Sequence, residues 1–430
     1  MGAAYPRAAP VNHEAHDRAL LDLLRTCEST SDIAPLPVLP GPDWLHVARR
    51  AIRLGVAPLL LARIIAADFP PLEIPGEARQ LLSECHLRNA LRNMRLYARL
   101  ADVLRAFAHD GIAAIVLKGA FLARNVYADP ALRSMGDVDL LVQRSALARS
   151  ERTLVQMGFA PDTRPSWAEQ TASGHELYPF ELDDLIVEVH WAIEDDESPF
   201  AINTEGLWQR ARALEISGVP ALALAPEDLL LHLCLHASYN HGWLPFGNGL
   251  RPFCDIAATI KHYGSGFGWH DFVSRARSWG TGNGVWLSLA VASDLIGAQV
   301  PGPVLAQLAP IRHGGEWRTL ACELAFGTHY DDMIEILPAL GPVWLTKQWP
   351  HLSTAARLLA QLLPGRRALS TAYPSLAARP APLAHLTRWK DLLADCLRLM
   401  PPRRPTAYAL VRREQSRLAL LGWLESSGPN

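Results

Sequence analysis

Two aspartates stand one residue apart in the segment RSMGDVDLLV, residues 133–142, and the sequence turns apolar directly after them. In an extended strand alternate side chains share a face, so Asp137 and Asp139 point to one side while Val138 and Leu140 point to the other. Two carboxylates one pleat apart repel each other, and burial adds a desolvation cost. Because Mg²⁺ prefers hard oxygen ligands and substrate phosphates, the spacing predicts a Mg²⁺ (or Mn²⁺) site. The alternative for a lone Asp-x-Asp is a plain turn.

A second segment with the same alternation offers a third carboxylate. In LIVEVHW, Glu188 and His190 share one face, while Val187 and Val189 share the other. If this segment pairs beside the Asp-x-Asp strand, Glu188 joins the two aspartates. His190 then lies near the site, either in the pocket or as a support behind a metal ligand.

Groups suited to phosphate stand before the aspartates. The segment LKG ends an apolar run at Gly119, and a helix is predicted to begin just after it. Such a turn directs backbone N–H groups and a helix N-terminus towards phosphate oxygens, and Lys118 adds a point charge. Arg133 lies four residues before Asp137, and its forked guanidinium also matches phosphate.

The elements that must position these residues alternate between strand and helix. Short apolar runs predict strands at 112–119 and 137–143, and an amphipathic helix follows and ends at Gly158. Residues 175–193 predict two strands around an Asp183–Asp184 turn. This order indicates a small α/β or α+β core. Three-and-four spacing of apolar residues predicts helices before this core, over 12–110, and again after it.

The helical sequence after the core contains further candidates. His232 and His236 are four residues apart and share a helix face, but the glutamate of the zinc motif H-E-x-x-H is missing between them. His236 and His241 are predicted either to border the substrate pocket or to pack in a polar core. Asp255, in the apolar segment FCDIAATI, is either a satisfied buried carboxylate or a pocket group.

Composition bounds the class of protein. The 430 residues contain 41 Lys and Arg against 43 acids, a net charge of −2, so binding to nucleic acid is not expected. The six cysteines include no C-x-x-C pair, which is typical of reduced thiols in a cytosolic protein. The N-terminus lacks a signal-peptide pattern, and apolar runs are too short to span a bilayer. A cytoplasmic protein without a membrane segment is therefore expected.

The segment VLKGAFLARNVYADPALRSMGDVDLLV, followed by LVQMGF and VEVHW, resembles the uncharacterised bacterial nucleotidyltransferase family of the polymerase-β-like superfamily. The resemblance covers residues 100–195 and continues more weakly into the following helices. It implies an α+β fold, with a small mixed-sheet nucleotidyltransferase core flanked by N-terminal helices and a large C-terminal helical region. The corresponding domains are 1–92, 93–200 and 201–430.

The resemblance also implies roles for individual residues. Asp137 and Asp139 would be metal ligands with Glu188 as the third carboxylate, and Lys118 and Gly119 would lie on the triphosphate. One departure is Ala120, since the wider superfamily usually has Ser or Gly at that point. A hydroxyl contact to phosphate is therefore missing.

The activity implied is transfer of an NMP from an NTP, such as ATP, to a hydroxyl or similar acceptor on a small molecule, peptide or protein. Two alternatives remain open from the sequence. The same fold could transfer a sugar or another activated group from a nucleotide-linked donor to a phosphorylated peptide. It could also be an inactive binding or antitoxin-like partner.

Overall fold

The computed structural model describes residues 13–25, 40–66, 74–161, 171, 174–196, 198–239, 249–310, 314–327, 386, 390, 416 and 419–424. The chain divides into two compact units, residues 1–327 with 421–430 and residues 328–420. The sheet and the helices named below belong to the first unit. The helices predicted beyond residue 327 lie almost wholly outside the described residues.

Helices form most of the first unit. They are α1 (His13–Arg25), α2 (Gly41–Arg53), α3 (Ala57–Ala66), α4 (Gly76–His109), α5 (Lys118–Asn125), α6 (Leu147–Gln156), α7 (Thr204–Arg210), α8 (Pro226–Ser238), α9 (Arg251–Tyr263), α10 (Trp269–Ser278), α11 (Gly282–Ile296), α12 (Gly302–Leu308) and α13 (Gly314–Gly327). No helix among the described residues is both long enough and apolar enough to cross a membrane.

One mixed sheet of seven strands forms the centre of the fold. Its strands are β1 (Ala114–Val116), β2 (Val138–Val142), β3 (Ala160–Pro161), β4 (Phe180–Leu182), β5 (Leu185–His190), β6 (Arg212–Ile216) and β7 (Val219–Ala223). They lie in the order β3-β4-β5-β2-β1-β7-β6. β2 pairs parallel with β5 and β1 parallel with β7, whereas the other neighbours are antiparallel. The predicted α+β class with a small mixed sheet is confirmed.

The hairpin that carries Glu188 does lie beside the Asp-x-Asp strand. In the parallel pair of β2 and β5, Asp139 stands opposite Glu188, and Leu140 opposite Val189. All five residues of β2 are buried, and β5 alternates between buried and half-buried positions over its first four residues. The predicted turn between β4 and β5 is also present, with Asp183 in the left-handed region at φ 55°.

Two local predictions differ from the structure. The first strand ends at Val116 and α5 begins at Lys118, so Gly119 lies in the first helical turn and does not end the strand. The change of direction is made by Lys118, whose φ is +36°. The hairpin of β6 and β7 is not predicted from the sequence, although Ser217 and Gly218 at its turn both have positive φ, as a tight hairpin requires.

Helix α4 fixes the loop that leads to the aspartates. Asn93 is buried and donates to two main-chain carbonyls of the loop 130–136, at 2.7 and 2.9 Å. Arg92 donates to two other carbonyls of the same loop, at 2.9 and 2.8 Å. The loop has little regular structure, so these side chains satisfy main-chain carbonyls that a helix or a sheet would otherwise satisfy.

We expect Asn93→Ala to lower the free energy of unfolding by about 1–3 kcal/mol, because the loop loses two hydrogen bonds from a buried side chain. The matched control is Arg95→Ala, two residues further along α4, whose pair with Asp184 spans 3.5 Å between exposed side chains. That change should stay within about 0.5 kcal/mol. Denaturant unfolding of both variants measures the difference, and equal losses would contradict a special role for Asn93.

Candidate active site

Three carboxylates gather where β2 begins and β5 runs beside it. Asp139 is only 3% exposed and lies directly opposite the half-buried Glu188 in the parallel ladder. Asp137 comes two residues earlier in the chain and is also half-buried. The pleat and the register together bring to one place acids that are 51 residues apart at the extremes, positions 137 and 188.

Asp139 is the best-compensated acid of the three. Its Oδ1 accepts a hydrogen bond from Lys118 Nζ at 2.8 Å and lies 3.0 Å from His190 Nε2. Burial by itself would raise the pKa of Asp139, but Lys118 and His190 outweigh it and hold that pKa well below its ordinary value. Asp139 is therefore ionised at neutral pH and able to bind a cation.

Glu188 is compensated less: its Oε2 lies 3.8 Å from His190 Nε2, and Lys118 lowers its pKa only in part. Burial, followed by the charges of Asp139, Glu176 and Asp137, raises the pKa of Glu188 to about 9. The pKa of Asp137 is raised as well, by burial and then by Asp139. These raised pKa values show that the acids repel one another more than one lysine offsets. A divalent ion bound there would stabilise their ionised forms.

The donor set fits a divalent cation. Single ligand atoms of Asp139, Glu188 and His190 all lie within 4.8 Å of one another, close enough to hold one ion. The ligand set predicted from the sequence is Asp137, Asp139 and Glu188, whereas this group contains His190 in place of Asp137. Carboxylate oxygens suit Mg²⁺, and the imidazole also admits Mn²⁺.

Lys118 is held in a strained backbone position. A φ of +36° is uncommon for a residue with a side chain, and such outliers gather at functional sites. Its side chain is buried, which lowers its pKa, but the charge of Asp139 outweighs this and raises that pKa overall. The residue predicted to touch phosphate thus lies against a predicted metal ligand.

Gly119, Arg133 and Asp255 form one buried assembly. The Arg133 guanidinium donates to both Asp255 oxygens, from Nε at 3.3 Å and Nη2 at 3.0 Å, and Tyr127 donates its hydroxyl to the same carboxylate at 2.8 Å. A Cβ on Gly119 would stand 2.1 Å from Arg133 Nη1, so only glycine fits there. Arg133 and Asp255, predicted for separate roles, are ion-pair partners.

Arg251 is a basic residue that the sequence analysis does not select. It is the first residue of α9, half-buried, and has no hydrogen-bond or ion-pair partner in the part of the chain that the structure describes. Burial and then the nearby charge of Arg133 lower its pKa, while Asp255 and Asp137 act in the opposite direction. An arginine just before a proline at a helix start is the only local signal for it.

The predicted histidines fall in different places. His190 is 1% exposed and sits in the acidic site, with Nδ1 3.2 Å from Glu176 Oε2, a carboxylate that the sequence analysis does not select. His232 on α8 is buried, and burial followed by the charge of Lys118 holds its pKa well below the ordinary value. His236, one turn further on, is half-buried. Position 241 lies outside the described residues.

The possible zinc pair on α8 is not part of a metal-binding group within the described residues. Among the described residues, the clusters of ligand atoms close enough for one ion do not include His232 or His236. With its pKa so low, His232 is neutral, and its Nδ1 has no hydrogen-bond partner in the described part of the chain.

Comparison with known proteins identifies the family of this chain. A family model described as "Uncharacterised nucleotidyltransferase" matches residues 40–297, more than half of the chain. The protein therefore belongs to this family of nucleotidyltransferases and is a transferase whose substrate is a nucleotide. Searches of curated proteins and of solved structures give no significant match.

The raised pKa of Glu188 predicts how stability depends on pH without divalent ions. Between its ordinary value of 4.5 and about 9, the folded protein holds a proton at Glu188 that the unfolded chain releases. The contribution of Glu188 to the free energy of unfolding is therefore most favourable at low pH and falls as the pH rises through that interval. Glu188→Gln removes the dependence, so the variant should melt higher than the wild type at pH about 8 and lose that advantage near pH about 5.

Differential scanning fluorimetry in chelator at both pH values measures this effect. The matched control is Glu181→Gln, an exposed acid on the adjacent strand β4. If Glu188→Gln and Glu181→Gln changed the melting temperature by the same amount at both pH values, the proposed repulsion among the carboxylates would be contradicted.

Proposed function

We propose that this protein transfers the nucleotidyl group of an NTP to a hydroxyl or similar acceptor on a small molecule, peptide or protein, with Mg²⁺ or Mn²⁺ as cofactor. The observation that carries the proposal is the pairing of Asp139 with Glu188 across parallel strands, in a chain of a nucleotidyltransferase family. Asp137, two residues earlier on the same side of the strand, completes the acidic set.

Asp139 and Glu188 would hold the cation, with Asp137 as a further carboxylate and His190 behind them. A divalent ion bound there offsets triphosphate charge and lowers the pKa of an acceptor hydroxyl. The acceptor oxygen would attack the α-phosphorus, the bond from the α- to the β-phosphate would break, and pyrophosphate would leave. Glu188 would either ligate the ion or take the proton that the acceptor hydroxyl loses. In either role Glu188 must be ionised, so activity is expected to rise with pH in the neutral range.

Basic residues would orient the triphosphate. Lys118 offsets the charge of Asp139 in the absence of a divalent ion, and ion binding would free its Nζ to turn towards a phosphate oxygen. Gly119 lets the backbone of the first α5 turn approach the phosphates. Arg133, already paired with Asp255, would support this turn from below, since its guanidinium packs against Gly119.

The test of this function is thermal stabilisation by each of the four NTPs, with and without Mg²⁺. A ligand at about 100 times its Kd should stabilise the wild type by about 2.7 kcal/mol. The shift should need NTP and Mg²⁺ together and should vanish in Asp139→Asn. The matched control is Asp184→Asn in the exposed β4–β5 turn, which should keep the shift.

Other outcomes would redirect the proposal. A shift with nucleotide sugars but with no NTP would favour transfer from a nucleotide-linked donor. Stabilisation by Mg²⁺·NTP that survives in Asp139→Asn would contradict the site. A product bearing NMP, detected by mass spectrometry after incubation with candidate acceptors, would identify the acceptor class.

Arg251 should contribute to NTP binding, since its guanidinium has no anionic partner among the described residues and lies in the field of the acids. We expect Arg251→Ala to raise the Kd for Mg²⁺·NTP about tenfold, the loss of about 1.4 kcal/mol, as for a charge-assisted hydrogen bond. Isothermal titration calorimetry measures this, with Arg49→Ala, on the exposed face of α2, as control. An unchanged Kd would remove Arg251 from the site.

A further inference from the structure

A second group of ligand atoms lies on the other side of the His190 ring from Asp139. His190 Nδ1 is 3.2 Å from Glu176 Oε2, and His175 Nε2 is 3.8 Å from the same oxygen. The three ligand atoms all fall within 4.8 Å of one another. Donors about 2.0–2.2 Å from a tetrahedral ion are separated by about 3.5 Å, so these separations suit one transition-metal ion.

A carboxylate holds the far nitrogen of each histidine. Asp195 Oδ1 is 2.6 Å from His175 Nδ1, and Asp139 Oδ1 is 3.0 Å from His190 Nε2. In the tautomer in which each ring donates a hydrogen bond to the carboxylate that faces it, the opposite nitrogen carries a lone pair. Histidines that ligate metals are almost always oriented in this way, by a carboxylate or carbonyl on the other ring nitrogen.

His190 Nδ1 lies 3.2 Å from the Glu176 carboxylate, and in that tautomer its lone pair faces the carboxylate oxygen. Two electron-rich atoms at that distance repel each other unless a cation or a proton stands between them. The same holds for His175 Nε2 and Glu176. One cation bound at this point would satisfy all three side chains at once.

The backbone holds the three residues in place. On either side of Glu176, Leu177 N donates to Val189 O at 2.9 Å and Trp191 N donates to His175 O at 2.8 Å. The segment 175–177 is therefore fixed along β5 by main-chain hydrogen bonds. The Glu176 side chain is 38% exposed, which leaves an entry path from solvent, whereas His190 is buried.

We propose that His175, Glu176 and His190 form a second metal site, for a transition-metal ion of the Zn²⁺ type. Two imidazoles and one carboxylate favour Zn²⁺, Mn²⁺ or Fe²⁺ over Mg²⁺, which prefers oxygen alone. The site shares the His190 ring with the acidic site, because Nδ1 serves the second ion while Nε2 binds Asp139. An ion there locks the ring that orients Asp139.

The experiment titrates metal-free full-length protein with Zn²⁺ by calorimetry and with Co²⁺ by visible absorption. The wild type should bind Zn²⁺ at this site, and Co²⁺ should give the strong d–d bands of a low-coordinate site containing imidazole. His175→Gln and Glu176→Gln should each weaken Zn²⁺ binding at least about tenfold, and Asp195→Asn, which removes the carboxylate behind His175, by about 10–100-fold. His270→Gln, an exposed histidine on α10, is the matched control and should bind as the wild type does.

Glu188→Gln separates this site from the proposed catalytic one, because Glu188 belongs only to the acidic group. This variant should lose stabilisation by Mg²⁺·NTP and keep the Co²⁺ bands. The two measurements therefore test the catalytic site and the second metal site independently of each other. Circular dichroism of the metal-free variants confirms that each is folded.

Two results would overturn the second site. One is Zn²⁺ binding that is lost in Glu188→Gln but kept in His175→Gln, which would place the ion among Asp139, Glu188 and His190. The other is a wild type that binds neither Zn²⁺ nor Co²⁺ at this group, in which case a proton on His190 stands between the ring and Glu176.

Discussion

Repulsion between carboxylates on neighbouring strands is the constraint around which this site is arranged. The parallel register of β2 and β5 sets Asp139 opposite Glu188, in a part of the sheet with little solvent to weaken their repulsion. Lys118 binds Asp139 directly and offsets the charge of Glu188 only in part, so the pKa of Glu188 rises to about 9. Such an arrangement costs stability in the free protein, and it is useful where a cation and a polyanionic substrate bind together.

Charged contacts from distant helices support the same site. Arg133 in the loop before β2 pairs with Asp255 on α9, and Asn93 on α4 binds the backbone of that loop. These contacts join the loop before β2 to both helices. The loop is consequently held by side chains that are themselves buried, a common means of fixing a functional segment that lacks regular structure.

The sequence predicts the parts of the site that follow from local periodicity. Alternation along DVDLLV and LIVEVH places Asp137, Asp139 and Glu188 on strand faces, and the structure confirms that the two strands are neighbours. The contacts that join Arg133 to Asp255 span 122 residues, and no local pattern contains that information. The β6–β7 hairpin is absent from the prediction for a related reason, since one of its strands pairs with β1 about 100 residues away.

The most direct measurement of the central claim is an anomalous difference map from crystals grown with Mn²⁺ and a non-hydrolysable NTP. We expect a peak between the carboxylates of Asp139 and Glu188, with the triphosphate on the same ion and Lys118 Nζ moved from Asp139 to a phosphate. A bound nucleotide elsewhere, with Lys118 still paired to Asp139 and no peak beside Glu188, would contradict it.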